Sequence, residues 1–336
     1  MGSHFFLTIG NHSLSQYLII KTSSLGDIVH MLPAITDAAH YTPDIKFDWV
    51  VEEGFADVAN WHPNINQVIP VAIRRWRKQL TSAQTWRDIS AFKQQLRQQS
   101  YHKVIDSQGL LKSALLTRWA DGEVWGYDKN SITESLASYF YQQKATVSRD
   151  LHAINRNRQI LAQALSYSID NLPLDYGIAA SDCYTAPKNL NISDKTIIGF
   201  HATSRKDKEW SLDLWDQFIP QIAQQGYRIL LPWGNEREYQ RAKQLASTHD
   251  NAECLPKCSL SELAALIQSA AAIIGMDTGL MHIAAAFNKK GIALYPVTQP
   301  ELTGVLTATN SIKSFGGKES LDVDLVAASF IALLNE

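Results

Sequence analysis

Cysteine is nearly missing from this chain: three of 336 residues, at positions 183, 254 and 258. So few, and an odd number, argue against a disulfide framework and for a reducing compartment. Cys254 and Cys258 are spaced CxxxC with no second Cys or His pair nearby. Zinc wants four ligands and only two are offered, so no metal is expected. Long apolar runs are missing as well, and none approaches the roughly 20 residues that span a bilayer. The start, MGSHFFLTIGNHSLSQ, lacks the basic head and longer apolar core of a secretion signal. A cytoplasmic location is therefore expected, with Met1 to Gln16 as an upstream extension or cloning remnant ahead of the first convincing strand. Charge of one sign is also in short supply. The formal net charge is -2, which removes any bulk attraction to nucleic acid or to an acidic membrane and leaves room only for a local basic site.

What is present is a globular balance, 45% hydrophobic and 19% charged residues, with no large disordered fraction. Single cores stop growing at roughly 250–300 residues, so a chain of this length suits two domains. YLIIK (Tyr17 to Lys21) reads as a strand, TSSLGD as a loop and IVHMLPAITDAAHY as a helix. Further strands are expected at Phe47 to Glu52, Gln67 to Ile73 and Lys103 to Gly109, with a polar helix from Thr85 to Ser100 and an amphipathic helix from His152 to Tyr167. The Pro-, Asn-, Asp- and Ser-rich stretch after that helix places a boundary near residue 175. The second half restarts the same pattern, with TIIGFHATS (Thr196 to Ser204), RILLPWG (Arg228 to Gly234), AAIIGMDTG and a strand at GIALYP (Gly291 to Pro296), and helices at Leu212 to Gln225, Glu236 to Ser247 and Leu280 to Asn288. Such alternation suits parallel sheets with right-handed crossovers. The reading is an α/β protein of two Rossmann-like domains facing across a cleft. Residues 17–175 form the first, 176–320 the second, and 321–336 a terminal helix with one face buried.

In such sheets ligands gather beyond the carboxyl ends of strands. Four loops lie there: KTSSLGD (Lys21 to Asp27), DSQGLLKS (Asp106 to Ser113), HATSRKDKEW (His201 to Trp210) and MDTGLMH (Met276 to His282). In the first, Gly26 permits close backbone approach and Asp27 sits near the start of the following helix. Alone, Asp27 fits a helix-end carboxylate favoured by the dipole equally well. His30 would share its helical face, in a tuning role or, more ordinarily, in packing or capping. A Ser-His-Asp hydrolase built from Ser24, His30 and Asp27 fails, since no nucleophile elbow is present. A lone DTG is explained by capping as readily as by anion binding. IRRWRK, with Arg74, Arg75, Arg77 and Lys78, is the one dense basic cluster, and such runs are usually solvated faces.

Together, in this order and spacing, these loops resemble those of the ADP-heptose:lipopolysaccharide heptosyltransferases, and within them the type I branch. FDWVVEEGF (Phe47 to Phe55), VIPVAIRRWRK (Val68 to Lys78), LPWG (Leu231 to Gly234) and DTGLMH (Asp277 to His282) carry the resemblance, which runs from Tyr17 almost to the C-terminus. It implies the glycosyltransferase-B fold, and an inverting transfer of heptose from ADP-heptose to di-Kdo lipid A. Asp27 would be the general base, and Thr203, Ser204, Lys208, Asp277, Thr278, Gly279 and His282 would contact the phosphates or heptose of the donor. Glu238 matches the ribose carboxylate, against the plain alternative of a solvated helix residue, and Cys258 falls beside the adenine. Ser24, Gly26, Arg74, Arg75, Arg77 and Lys78 would serve the acceptor, with Lys112 reaching the same anions or remaining a surface lysine. No cofactor or metal is implied, nucleic acid is not a partner, and a monomer, peripheral at most on the inner membrane, is expected. Two places depart from the pattern. Thr133 stands where an acceptor-facing arginine is expected, and VTQPELTG (Val297 to Gly304) replaces a glycine-richer loop. A type II or III enzyme, a nucleotide-sugar epimerase and a non-catalytic nucleotide sensor are the rival readings.

Overall fold

The structure, a computed structural model, describes residues 16–178, 184, 187, 190, 192–317 and 321–336. Cys183 and all of the expected amino-terminal extension except Gln16 lie outside the described residues.

Six strands, β1 (Gln16–Ile20), β2 (Lys46–Glu52), β3 (Ile65–Val71), β4 (Ser100–Asp106), β5 (Asp121–Tyr127) and β6 (Gln143–Ala145), form a parallel sheet in the order β3-β2-β1-β4-β5-β6. Six more, β7 (Thr196–Phe200), β8 (Arg228–Leu231), β9 (Ala252–Cys254), β10 (Ala272–Met276), β11 (Gly291–Tyr295) and β12 (Ile312–Gly316), form a second in the order β12-β11-β10-β7-β8-β9. Each is the Rossmann order. Its winding reverses between β1 and β4 and again between β7 and β10, opening a crevice at the carboxyl ends of those strands. Leu18, Ile19 and Ile20 of β1 are wholly buried, as are Ile273 and Ile274 of β10, because crossover helices cover both faces of a parallel sheet. The paired Rossmann-like units of a glycosyltransferase-B fold are thus present.

Several boundaries differ from the sequence reading. β1 begins one residue earlier, at Gln16, and β3 ends at Val71 because Ile73–Trp76 turns into a single helical turn that buries Trp76. β5 has a weak strand signature for a packing reason. A Cβ at Gly126 would lie 2.2 Å from the Tyr141 ring, so this position near the strand's end must be glycine, which strand propensity disfavours. β6 and β9 have three residues each, and β6, β9 and β12 are sheet edges with little apolar pattern.

Helix Ala153–Leu165 packs on helix Leu32–Tyr41, and a buried pair pins them together: Arg158 Nε and Nη2 donate to Asp37 at 2.6 and 3.1 Å. The terminal helix, Val323–Asn335, buries Val326, Ala327 and Phe330 against helix Leu212–Ala223. One apolar core runs from the first sheet through the helices between the sheets to Ile273 and Ala293, and a second, around Trp215, Phe218 and Phe330, lies on the outer side of the second sheet.

Candidate active site

The β1 strand delivers the chain into Lys21 to Ser24 and then helix Leu25–Val29, with Ser24 as its N-cap and Asp27 as the third helical residue. Asp27 Oδ2 accepts from the Ser24 N–H at 2.6 Å and from Ser24 Oγ at 3.0 Å. Helix-start carboxylate is thus a correct description of Asp27. It engages one oxygen, while Oδ1 has no hydrogen-bond partner among the described residues, and the side chain lines a cleft of about 470 Å³ between the two sheets.

The opposite wall is helix Gly279–Ala286, whose N-cap is Thr278. The two helices meet end to end through glycines. A Cβ at Gly26 would lie 2.9 Å from the His282 ring, and one at Gly279 would lie 2.7 Å from Leu25 Cβ. Side chains at either place would hold the halves apart. The free N–H groups at the start of helix Gly279–Ala286 therefore open on the cleft, where they favour an anion.

Lys208 stands across from them. Its ammonium donates to Asp277 Oδ2 at 2.6 Å, an oxygen that also accepts from Thr298 Oγ1 at 2.8 Å. Thr203, Ser204 and Thr278 line this cleft and also an adjoining hollow of about 240 Å³. That hollow is walled by Pro232, Trp233, Leu263 and Leu280, with Cys258 and Glu238 at its edge. Burial, aided by Glu262, pushes the Cys258 thiol up to about 11, so it is a small protonated wall at neutral pH. Glu238 Oε2 accepts from the Gly234 N–H at 2.8 Å and Oε1 from Asn235 Nδ2 at 2.7 Å. A hollow with apolar walls, hydroxyls and a carboxylate has the chemistry to take a nucleobase and its ribose.

Three histidines close the floor. His30 Nε2 and His282 Nδ1 are 3.0 Å apart with rings edge to face, His152 sits edge-on to His30, and His152 Nε2 meets the Gly304 carbonyl at 2.9 Å. Burial lowers His282 to about 4 and takes His30 well below its ordinary value, so the pair is neutral and shares one proton across the halves. His30 is the C-cap of helix Leu25–Val29 and is buried. His282 lines the cleft while tied to His30.

The basic cluster is divided by the turn that buries Trp76. Arg74 lines the cleft, its guanidinium 5.3 Å from the centre of the Phe55 ring. Arg75 is held by Glu53 at 3.2 Å and Asp88 at 2.7 Å, and with Lys78 it lines an adjoining hollow that shares Phe55 and Arg74 with the cleft. Arg77 lines neither. Lys112 Nζ is 3.4 Å from Ser23 Oγ, beside the first loop. Ser24 and Gly26 line the cleft, as do Leu25, Phe55 and Thr303, which sequence reasoning did not single out. Phe55 and Thr303 belong to segments whose residues were noted, FDWVVEEGF and VTQPELTG, but nothing local marks which of their side chains faces inward. Among the described residues no group of three or more His, Cys, Asp or Glu side chains could hold a metal ion, and no helix is long and apolar enough to cross a membrane.

Two Rossmann-like units meet over a cleft lined by Lys208, Thr203, Ser204 and Thr278, an arrangement that suits the class to which the chain's family belongs, the glycosyltransferases. The chain belongs to glycosyltransferase family 9 (heptosyltransferase), whose model matches residues 89–324. It is 44% identical over 290 residues to lipopolysaccharide heptosyltransferase 1 of Escherichia coli strain K12, covering 86% of this chain and 90% of that protein. It is 43% identical over 290 residues to the heptosyltransferase 1 of Pseudomonas aeruginosa, covering 86% and 81%. The solved structure of the Escherichia coli heptosyltransferase WaaC with ADP superposes with a TM-score of 0.88 at 41% identity, covering 95% of this chain and 99% of that one.

Proposed function

We propose that this enzyme moves L-glycero-D-manno-heptose from ADP-heptose to the Kdo of di-Kdo lipid A, with inversion, in assembly of the lipopolysaccharide inner core. The observation that carries this reading is the place of Asp27. Its carboxylate lines the main cleft and also an adjoining cavity, so it is within reach of both a donor and an acceptor. The curated relatives bear the name heptosyltransferase 1, and a further solved WaaC structure is described as bound to ADP-2-deoxy-2-fluoro heptose.

In this mechanism Asp27 takes the proton of the acceptor hydroxyl as its oxygen bonds to the anomeric carbon, and the bond from that carbon to ADP breaks on the opposite face. A carboxylate acts as base when held within hydrogen-bond reach and shielded from water. Adenine and ribose occupy the slot by Trp233, Cys258 and Glu238. Charge growing on the ADP diphosphate is met by Lys208, Thr203, Ser204 and the N–H groups at Thr278 and Gly279, positive elements already in position. These carry the charge in place of a metal. Arg74 receives anionic groups of the acceptor, and the enzyme works as a monomer, peripherally at the cytoplasmic membrane face.

Assay of purified protein with ADP-heptose on di-Kdo lipid A and on an already heptosylated acceptor, with and without chelator, tests this reading. Transfer to the first acceptor, unchanged by chelator, is expected. Turnover of donor alone, or transfer only to the heptosylated acceptor, would overturn it.

A further inference from the structure

The loop after β7, His201 to Trp210, brings Thr203, Ser204 and Lys208 to the cleft. Its ends, His201 and Trp210, are buried, while Ser204 through Asp207 are exposed. Two arginines one turn apart on helix Glu236–Thr248 tie its backbone to the rest of the second half. Arg241 Nε donates to the His201 carbonyl at 3.2 Å and its Nη2 to the Trp210 carbonyl, so one side chain holds both ends of the loop. Arg237 holds the middle. Its Nη2 donates to the Thr203 carbonyl at 2.6 Å, and its Nη1 lies 2.8 and 2.9 Å from the two carboxylate oxygens of Glu209. Glu209 Oε1 in turn accepts from the Thr203 N–H at 2.9 Å. Both backbone polar groups of Thr203 are thereby taken by one ion pair, whose carboxylate side chain is only 7% exposed. Glu209, Arg237 and Arg241 line neither the cleft nor the nucleobase hollow, but a separate hollow of about 370 Å³ that shares no lining residue with either.

An exposed loop binds an anion well only when its donors are in place beforehand, since ordering them on binding costs affinity. Glu238, the residue after Arg237, lines the nucleobase hollow. One turn of helix therefore carries both the carboxylate offered to the ribose and the cation that fixes the loop offered to the diphosphate. We propose that Glu209 and Arg237 are positioning residues for the donor diphosphate. Without touching it they hold Thr203, Ser204 and Lys208 where they meet it, and they set the spacing between the diphosphate contacts and the ribose contact. Lys208 directly precedes Glu209, so anchoring the carboxylate also fixes the point from which the lysine reaches Asp277 and the cleft. The inference rests on the reading of this cleft as the ADP-heptose site, and adds to it two residues outside the cleft on which donor affinity depends.

Calorimetric titration with ADP and with adenosine, beside steady-state KM values for ADP-heptose and di-Kdo lipid A, tests this on Glu209→Gln, Arg237→Gln and the double variant. Either single change leaves the other charge without its partner. Each should weaken ADP and raise the donor KM by about 10- to 100-fold, the worth of a hydrogen bond to a charged group. Adenosine, which has no phosphate for the loop to meet, should weaken about 3-fold or less, and the acceptor KM should hold. The double variant pairs two amides, leaves no charge unpartnered and should bind ADP at least as well as either single. Arg237→Lys keeps the charge but not the fork, and should fall between the wild type and Arg237→Gln. A merely structural pair would weaken ADP and adenosine by the same factor, or lower stability in urea with ADP affinity intact. Either result, or a loss in the double equal to the product of the singles, overturns the positioning role and leaves the transferase reading standing. A wild type that neither binds ADP nor turns over ADP-heptose would overturn both together.

Discussion

Asp27 has one structural role and one proposed catalytic role, and their energies can be separated. Its Oδ2 closes the start of helix Leu25–Val29 by accepting from Ser24 N and Oγ, and loss of such a cap costs about 0.5–2 kcal/mol. In the proposed mechanism the carboxylate also takes the acceptor proton, and loss of a general base lowers kcat by about 100- to 10,000-fold. Asp27→Asn keeps an amide oxygen able to accept from Ser24 but has almost no basicity. Asp27→Ala removes both functions. Steady-state kinetics, chemical denaturation and calorimetric titration with ADP should therefore disagree in an informative way. Both variants should lose kcat to the same extent, and both should bind ADP like the wild type, because the nucleotide slot lies in the other half. Only Asp27→Ala should be less stable, by about 1 kcal/mol. If Asp27→Asn turned over within about fivefold of wild type, far less than removal of a base entails, the assignment would be refuted. A fall in kcat that followed stability, large for Ala and small for Asn, would show that the residue is a cap and nothing more.

The glycine contact between the halves is testable in the same way. Gly26→Ala places a methyl group 2.9 Å from the buried His282 ring, which is tied to His30 and has little room to move. Overpacking of about 1–3 kcal/mol outweighs the helix-propensity gain of up to about 1 kcal/mol, so denaturation should show a net loss. Gly54→Ala, with nothing within 4 Å, should be neutral, and equal behaviour of the two would remove the steric argument. Stability should also fall in acid. Burial lowers His62 and His201 to about 3 and His282 to about 4, so below pH 6.5 the unfolded chain binds protons that the folded protein refuses. Their contribution is fully present above about pH 6.5 and is lost as pH falls from there toward 4, at roughly 1.4 kcal/mol per pH unit for each histidine. Urea denaturation at pH 7, 6 and 5 checks this, and stability that held or rose over that range would contradict it.

The sequence by itself determined the two α/β units and the loops that carry the site, while Asp27 stood out among them only through the family resemblance. These features are local. A β-branched run, a glycine turn and a helix start announce themselves within about ten residues, and a loop after a parallel strand must lie at the ligand edge of the sheet. Only the tertiary structure decided which members of each motif face inward. Arg74 and Arg77 are three residues apart in one basic run, but the burial of Trp76 sends the first to the cleft and leaves the second outside it. His30 and His282 are 252 positions apart and share a hydrogen bond because two glycines let their helices touch. Glu209 and Arg237 each look like an ordinary surface charge in the sequence. Their pairing depends on the packing of helix Glu236–Thr248 against the loop after β7, a contact across 28 positions that no local pattern encodes.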